Sequence, residues 1–139
     1  MMKRRYFLAL PLLLLPQAAL AHAYKLGALA IGHAWAKPST GSETEAMMPI
    51  VNGGSDVDSL ISASTSVADR VEFRLVEQKL DRLDISVGRP FPMRPKGPHL
   101  QLIGLKKPLV DGDRVPLTLV FEKAGTIDIE LQVENSPGE

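Results

Sequence analysis

Apolar and polar residues alternate along several short stretches of the chain. The clearest example lies near the C-terminus, where two alternating runs, residues 115–121 and 127–133, flank a turn at residues 123–126. A period of two places the apolar side chains on one face of a β-strand. These runs therefore predict an antiparallel hairpin with one buried face.

Further short extended segments precede this hairpin and are separated by turns rich in glycine, proline and serine. They cover residues 24–36 (as one or two strands), 46–51, 60–63, 71–75 and 83–87. In the first segment we expect Leu29, Ile31, His33 and Trp35 to share one face. Regularly spaced short strands without a long helix predict a single all-β domain, a sandwich or a barrel.

A turn at residues 95–98, rich in proline and glycine, leads into another alternating run that ends at Leu105. On a strand, His99, Gln101 and Ile103 would share one face. Residues two apart lie about 6.5 Å apart along the strand, so their side chains can bind one ion. The pattern marks His99 as a candidate metal ligand, although Gln101 stands where a soft metal prefers Met or Cys. The alternative is a histidine retained for a hydrogen bond at the strand start.

The first 21 residues have the composition of a secretory signal peptide. Basic residues 3–5 precede an apolar run too short to span a bilayer, and Ala19-Leu20-Ala21 forms a cleavage site. We therefore predict a signal peptide over residues 1–21 and a periplasmic domain over residues 22–139. Because the chain contains no cysteine, we expect neither disulfides nor a lipid anchor, and no membrane association after cleavage.

Charge and side-chain chemistry exclude several classes of function. Without the three basic residues of the leader, 13 basic and 16 acidic residues remain. A net charge of −3 argues against nucleic acid or an anionic membrane as the partner. The chain has no Ser/His/Asp or Cys/His combination and no phosphate-binding loop, so we expect a binding protein and not an enzyme.

Several segments of the chain resemble the PCuAC family of periplasmic copper chaperones. They are Asn52-Gly53-Gly54, Ala68–Phe73, Gly97–Leu105 and Gly112–Leu119, with Ile31–Ala36 fitting the same pattern. The resemblance implies a cupredoxin-like antiparallel β-sandwich that holds copper at its surface and delivers it to respiratory copper sites. It implies Cu(I) ahead of Cu(II) as the bound ion, and a copper-site assembly protein or an oxidase subunit as the protein partner.

Carried over residue by residue, the copper motif of the family is retained at one ligand position of four. His99 matches the histidine of the family's His-x-Met pair, whereas Arg74, Ile85 and Gln101 stand at the other ligand positions. Arg74 brings a positive charge that would repel a bound cation. It could instead pair with an acid such as Glu72 or Glu77, contact a partner protein or remain a solvated surface charge.

Methionines elsewhere could replace the missing ligands around His99. Met93 and Met48 are the candidates, because thioethers suit Cu(I) and need no deprotonation to bind it. The alternative for each is a methionine that fills space in a small β-core. Met47 and Met48 should point to opposite faces of an extended segment, so at most one of them can contribute.

Two hypotheses follow, with a third possibility at the mature N-terminus. The first is a periplasmic copper-binding protein with a remodelled site built from His99 and methionine. The second is a metal-free PCuAC-like sandwich that acts as a protein-interaction module. If cleavage follows Ala21, the free amine and imidazole of His22 could also chelate Cu(II). His33 is expected to be a partly buried, hydrogen-bonded histidine and not a ligand.

Overall fold

A computed structural model describes residues 23–135, which form β-strands connected by turns and loops and contain no helix. Among these residues, accordingly, no helix is long and apolar enough to cross a membrane. The strands are β1 Tyr24–Leu26, β2 Leu29–Ile31, β3 Trp35–Ala36, β4 Glu43–Met47, β5 Ile50–Asn52, β6 Asp58–Ser64, β7 Ala68–Leu75, β8 Gln78–Leu80, β9 Leu83–Ile85, β10 Pro98–Leu105, β11 Arg114–Phe121 and β12 Gly125–Val133. The predicted all-β class is confirmed.

The strands of the described region form one small and one large sheet. The small sheet has the order β1-β2-β5, and the large sheet has the order β8-β7-β10-β4-β3-β12-β11-β6-β9. Neighbouring strands are antiparallel except β3 and β12, which run parallel. The large sheet curves until β6 and β7 come into contact, so it nearly closes into a barrel. The predicted C-terminal hairpin is confirmed as β11 and β12, with Leu119 opposite Ile127.

One hydrophobic core fills the space enclosed by the two sheets. On β10, Leu100 and Leu102 are fully buried in this core, while His99 and Gln101 project from the other face of the strand. The alternation read from residues 98–105 is therefore confirmed. It separates an apolar face from a polar face at the strand that carries the candidate ligand.

The first predicted segment forms three strands, and the alternation changes phase between them. Leu29 and Ile31 face the core as expected. His33 and Trp35 do not, and the alanines at positions 34 and 36 are buried in the core instead. The prediction of one shared face is therefore wrong. The phase changes at Gly32, where the chain leaves the small sheet for the large one.

Other boundaries differ from the predicted ones by a few residues. The segment predicted at residues 46–51 is divided at residues 48–49 into the end of β4 and the start of β5. The strand predicted at residues 83–87 ends at Ile85, and β8 was not predicted. Proline at position 49 and short strand length account for these differences, because neither leaves a long alternating pattern to follow.

A bulge at Gly104 bends β10 near its end. Gly104 has a φ of +77°, and the amides of Gly104 and Leu105 both donate to the carbonyl of Ser42, at 2.9 and 2.8 Å. A Cβ atom at this position would lie 2.3 Å from Oδ2 of Asp69. Both the backbone conformation and the close neighbour therefore require glycine here.

Candidate metal centre

A row of four side chains crosses adjacent strands on the face of β10 that points away from the core. Trp35 on β3 pairs with Met47 on β4, and His99 on β10 pairs with Arg74 on β7. Continuing the register between β10 and β4 by one residue sets Met47 opposite His99. Directly opposite residues of antiparallel strands have Cβ atoms about 5 Å apart on the same face. We call these four residues the outer row.

His99 is enclosed and hydrogen-bonded at the start of β10. Its side chain is 1% exposed. Nδ1 lies 3.1 Å from the carbonyl oxygen of Gly97, and Nε2 lies 2.9 Å from Oε1 of Gln101. The amide nitrogen of Gln101 in turn donates to Glu43 at 3.1 Å. The nearest carboxylate is Glu45, with Oε2 3.9 Å from Nε2 of His99.

This arrangement leaves one lone pair of a neutral His99 without a donor. Both of its oxygen neighbours, on Gly97 and Gln101, accept hydrogen bonds, whereas a neutral imidazole carries a single N–H. As long as Gln101 directs its amide nitrogen to Glu43, one ring nitrogen must face an acceptor with its lone pair. When the ring proton is on Nδ1 and is donated to the carbonyl of Gly97, Nε2 is the nitrogen available to a metal ion.

Arg74 does not stand as a free cation beside His99. Its guanidinium donates to Oε1 of Glu72 from Nε at 3.2 Å and from Nη2 at 3.0 Å, while Arg70 donates to the other oxygen at 3.0 Å. The hydrogen bonds from Arg70 and then Arg74 hold the pKa of Glu72 below its ordinary value. Of the alternatives for Arg74, the structure contains the pair with Glu72, which offsets the repulsion expected from its charge.

The structure places the two predicted replacement thioethers at the hydrophobic core. Met48 is buried within the hydrophobic core, and Met93 is half-buried against that core. Met47 and Met48 take opposite faces, as expected, and Met47 is the one in the outer row. Met47 is only 1% exposed although it lies outside the core cluster. His22 falls outside the described residues.

Two further pairs of polar side chains lie close to the outer row. Lys37 places its ammonium 3.1 Å from Oε1 of Glu45, as an ion pair without an aligned hydrogen bond. Nε2 of His33 contacts a carboxylate oxygen of Glu134, and both of these side chains are about one-third exposed. The expectation of a partly buried, hydrogen-bonded His33 is confirmed.

The donor atoms in this region suit a soft ion better than a hard one. Within residues 23–135, no group of three or more His, Cys, Asp or Glu residues could hold a metal ion. What the outer row offers is one imidazole and one thioether. Imidazole and thioether are neutral ligands that suit Cu(I), which accepts low coordination numbers. The residues present therefore fit Cu(I), and the Glu45 carboxylate lies 3.9 Å from Nε2 of His99.

Comparison with solved structures defines the class of this fold. The copper-bound PCuAC domain from PmoF2 superimposes with a TM-score of 0.77 at 28% identity, over 83% of this chain and 99% of that domain. The Cu(I) form of DR1885 from Deinococcus radiodurans superimposes with a TM-score of 0.64 at 22% identity, over 87% of this chain and 86% of that one. The chain therefore has the fold of PCuAC domains, and the predicted fold class is confirmed.

The sequence comparisons give the family. The sequence model of the LpqE-like lipoprotein family matches residues 29–133. The protein Lxx21020 of Leifsonia xyli subsp. xyli, which carries the name of a lipoprotein, is 24% identical over 133 residues, covering 89% of this chain and 80% of the relative. The chain belongs to the LpqE-like family.

Proposed function

We propose that this protein is an extracytoplasmic copper-binding protein of the PCuAC type that holds a single Cu(I) ion through His99. The observation that carries the proposal is the enclosed imidazole at the start of β10, with a lone pair opposed by an acceptor and a methionine in the same row. The 28% identity to a copper-bound PCuAC domain supports copper as the ion. These relatives and the LpqE-like lipoprotein family support a location outside the cytoplasm.

In this proposal the protein is a carrier. The signal peptide at residues 1–21 directs it to the periplasm, where it takes up Cu(I) and delivers it to respiratory copper sites. The recipient is a copper-site assembly protein or an oxidase subunit. A carrier must release its ion, and the hydrogen-bond partners of His99 favour release. When copper leaves, the ring proton can move from Nδ1 to Nε2, which then donates to Oε1 of Gln101 at 2.9 Å in the metal-free form.

A competition titration tests the proposal. The purified exported protein is titrated with Cu(I) against a chromogenic Cu(I) chelator, beside the variants His99→Gln and His33→Gln. We expect one equivalent of Cu(I) per chain, lost in His99→Gln and retained in His33→Gln, because the His33 side chain is already paired with Glu134. Binding no stronger than that of an unstructured methionine peptide would overturn the proposal.

A metal-free interaction module is the second candidate, and one observation favours it. His99, Gln101 and Glu43 form a hydrogen-bonded chain that needs no ion to hold it together. If this candidate is right, the folded wild-type protein binds no Cu(I), and His99→Gln changes only its stability.

Cu(II) capture at His22 is separate chemistry. It would be abolished by adding one residue before His22, and mass spectrometry of the exported protein shows whether that terminus exists.

A further inference from the structure

Met47 is buried in an unusual place. It is 1% exposed, yet it does not belong to the central hydrophobic core, which takes its neighbour Met48 instead. The strand register sets it between Trp35 on one side and His99 on the other. Met47 therefore lies outside the central cluster, on the face of β4 that carries it beside the imidazole of His99.

We propose that Met47 is the second copper ligand, so that its thioether and the imidazole of His99 bind one Cu(I) ion with the Trp35 indole packed against it. This inference rests on the proposed function. It moves the soft ligand from position 101, where the chain has glutamine, to the strand on the other side of β10 from Arg74. An indole face attracts a neighbouring cation, so Trp35 adds an attraction without adding a ligand bond.

The charges around this pair favour a singly charged ion. Both ligands are neutral, and an enclosed site with neutral ligands holds a divalent ion poorly because the desolvation cost rises with ionic charge. Arg74 and Lys37 lie nearby, each compensated by one glutamate. Any residual repulsion from them is doubled for Cu(II) relative to Cu(I). We therefore expect the site to accept Cu(I) and Ag(I) and to discriminate against Cu(II).

The chain provides its own probe for this site. Trp35 is the only tryptophan in the sequence, so its emission reports on the outer row alone. We expect Ag(I), an air-stable substitute for Cu(I), to quench this emission and to saturate at one equivalent. Cu(II) added at the same concentration should change the emission less. The affinity for Cu(I) is then measured by chelator competition.

Two adjacent methionines give a matched pair of variants. Met47→Leu and Met48→Leu each replace a methionine of 1% exposure by a residue of similar volume, so both should fold. We expect Met47→Leu to weaken Cu(I) and Ag(I) binding by at least about 10-fold and to abolish quenching at one equivalent. Met48→Leu should bind as the wild type does. Urea unfolding of both variants checks that they are folded.

The outcomes separate this inference from the function on which it rests. If the wild type binds no Cu(I), the proposed function and the inference both fail. If binding is lost in His99→Gln but Met47→Leu binds as tightly as Met48→Leu, the proposed function stands and the assignment of Met47 is wrong. Loss of binding in Met47→Leu alone of the two methionine variants supports the assignment. If the protein binds Ag(I) or Cu(I) tightly without any change in Trp35 emission, the indole does not pack against the ion and that part of the inference is wrong.

Discussion

Replacing Gln101 by methionine should strengthen Cu(I) binding and weaken the metal-free fold. In the wild type, Oε1 of Gln101 lies 2.9 Å from Nε2 of His99, and the amide nitrogen donates to Glu43 at 3.1 Å. Gln101→Met removes both contacts. It also places a thioether on the same face of β10, two residues after the imidazole.

The expected size of the change has two parts. In the wild type, Cu(I) must displace the hydrogen bond from Nε2 to Gln101, although Nδ1 can then donate to Gly97, so avoiding this exchange is worth at most about 0.5–1.5 kcal/mol, or up to roughly a 12-fold gain in affinity. The added soft ligand should raise the total gain to the order of 10- to 100-fold. Without metal, the ring proton of the variant can donate to Gly97 instead, so loss of the Gln101 contact lowers the unfolding free energy by at most about 0.5–1.5 kcal/mol. Loss of the contact with Glu43 adds little, because that carboxylate is exposed to water.

Gln101→Leu is the control that separates the two parts. It frees the imidazole of His99 as Gln101→Met does but supplies no sulfur, so its affinity should rise by the first factor alone. The measurements are Cu(I) chelator competition for affinity, and urea unfolding with and without one equivalent of Cu(I) for stability. If Gln101→Met binds Cu(I) no more tightly than Gln101→Leu, the sulfur at position 101 does not reach the ion and the reasoning is refuted.

Two further predictions concern the fold that supports the outer row. Gly104→Ala should lower the free energy of unfolding by about 2–4 kcal/mol, from a positive φ and from overlap with Asp69. Gly112 also has a positive φ but has open space around it, so Gly112→Ala should lower the free energy of unfolding by only about 1–2 kcal/mol. If urea unfolding shows the same loss for both variants, overlap with Asp69 does not contribute at position 104. Folding lowers the pKa of Glu72 from its ordinary value of 4.5. The ionised carboxylate therefore stabilises the folded protein above pH 4.5, and this stabilisation is lost as the pH falls through the lowered pKa. Glu72→Gln should therefore be less stable than the wild type near neutral pH, with a difference that shrinks as pH falls below 4.5; a constant difference would count against the arginine pairs.

What could be predicted from the sequence was determined by nearby residues. The face that carries His99 follows from alternation along a single strand, and so does the C-terminal hairpin with Leu119 opposite Ile127. The pairing of Arg74 with Glu72 was foreseen among other options because the two residues are neighbours on one face of β7. None of these requires knowledge of how distant strands meet.

What was missed depends on distant pairing. Met47 and Trp35 join His99 only because β4 lies between β3 and β10, and nothing in the local pattern gives that strand order. The sequence predicts Met48 as the ligand candidate, but the choice between adjacent methionines depends on which face of β4 points inward. The phase change at Gly32 was missed for the same reason, since the chain moves there from one sheet to another.

The parallel contact between β3 and β12 has a consequence for when copper can bind. β3 is only two residues long and is held between β4 and β12, so we expect Trp35 to be fixed in the outer row only once the last strand of the described region has docked. Contacts between residues so far apart in sequence form late, because the entropy of closing long loops must be overcome first. In a partly folded chain, the imidazole of His99 and the thioether of Met47 would therefore not yet lie side by side to bind one ion. Under the proposed export route, capture of the ion begins in the compartment where the chain completes its fold.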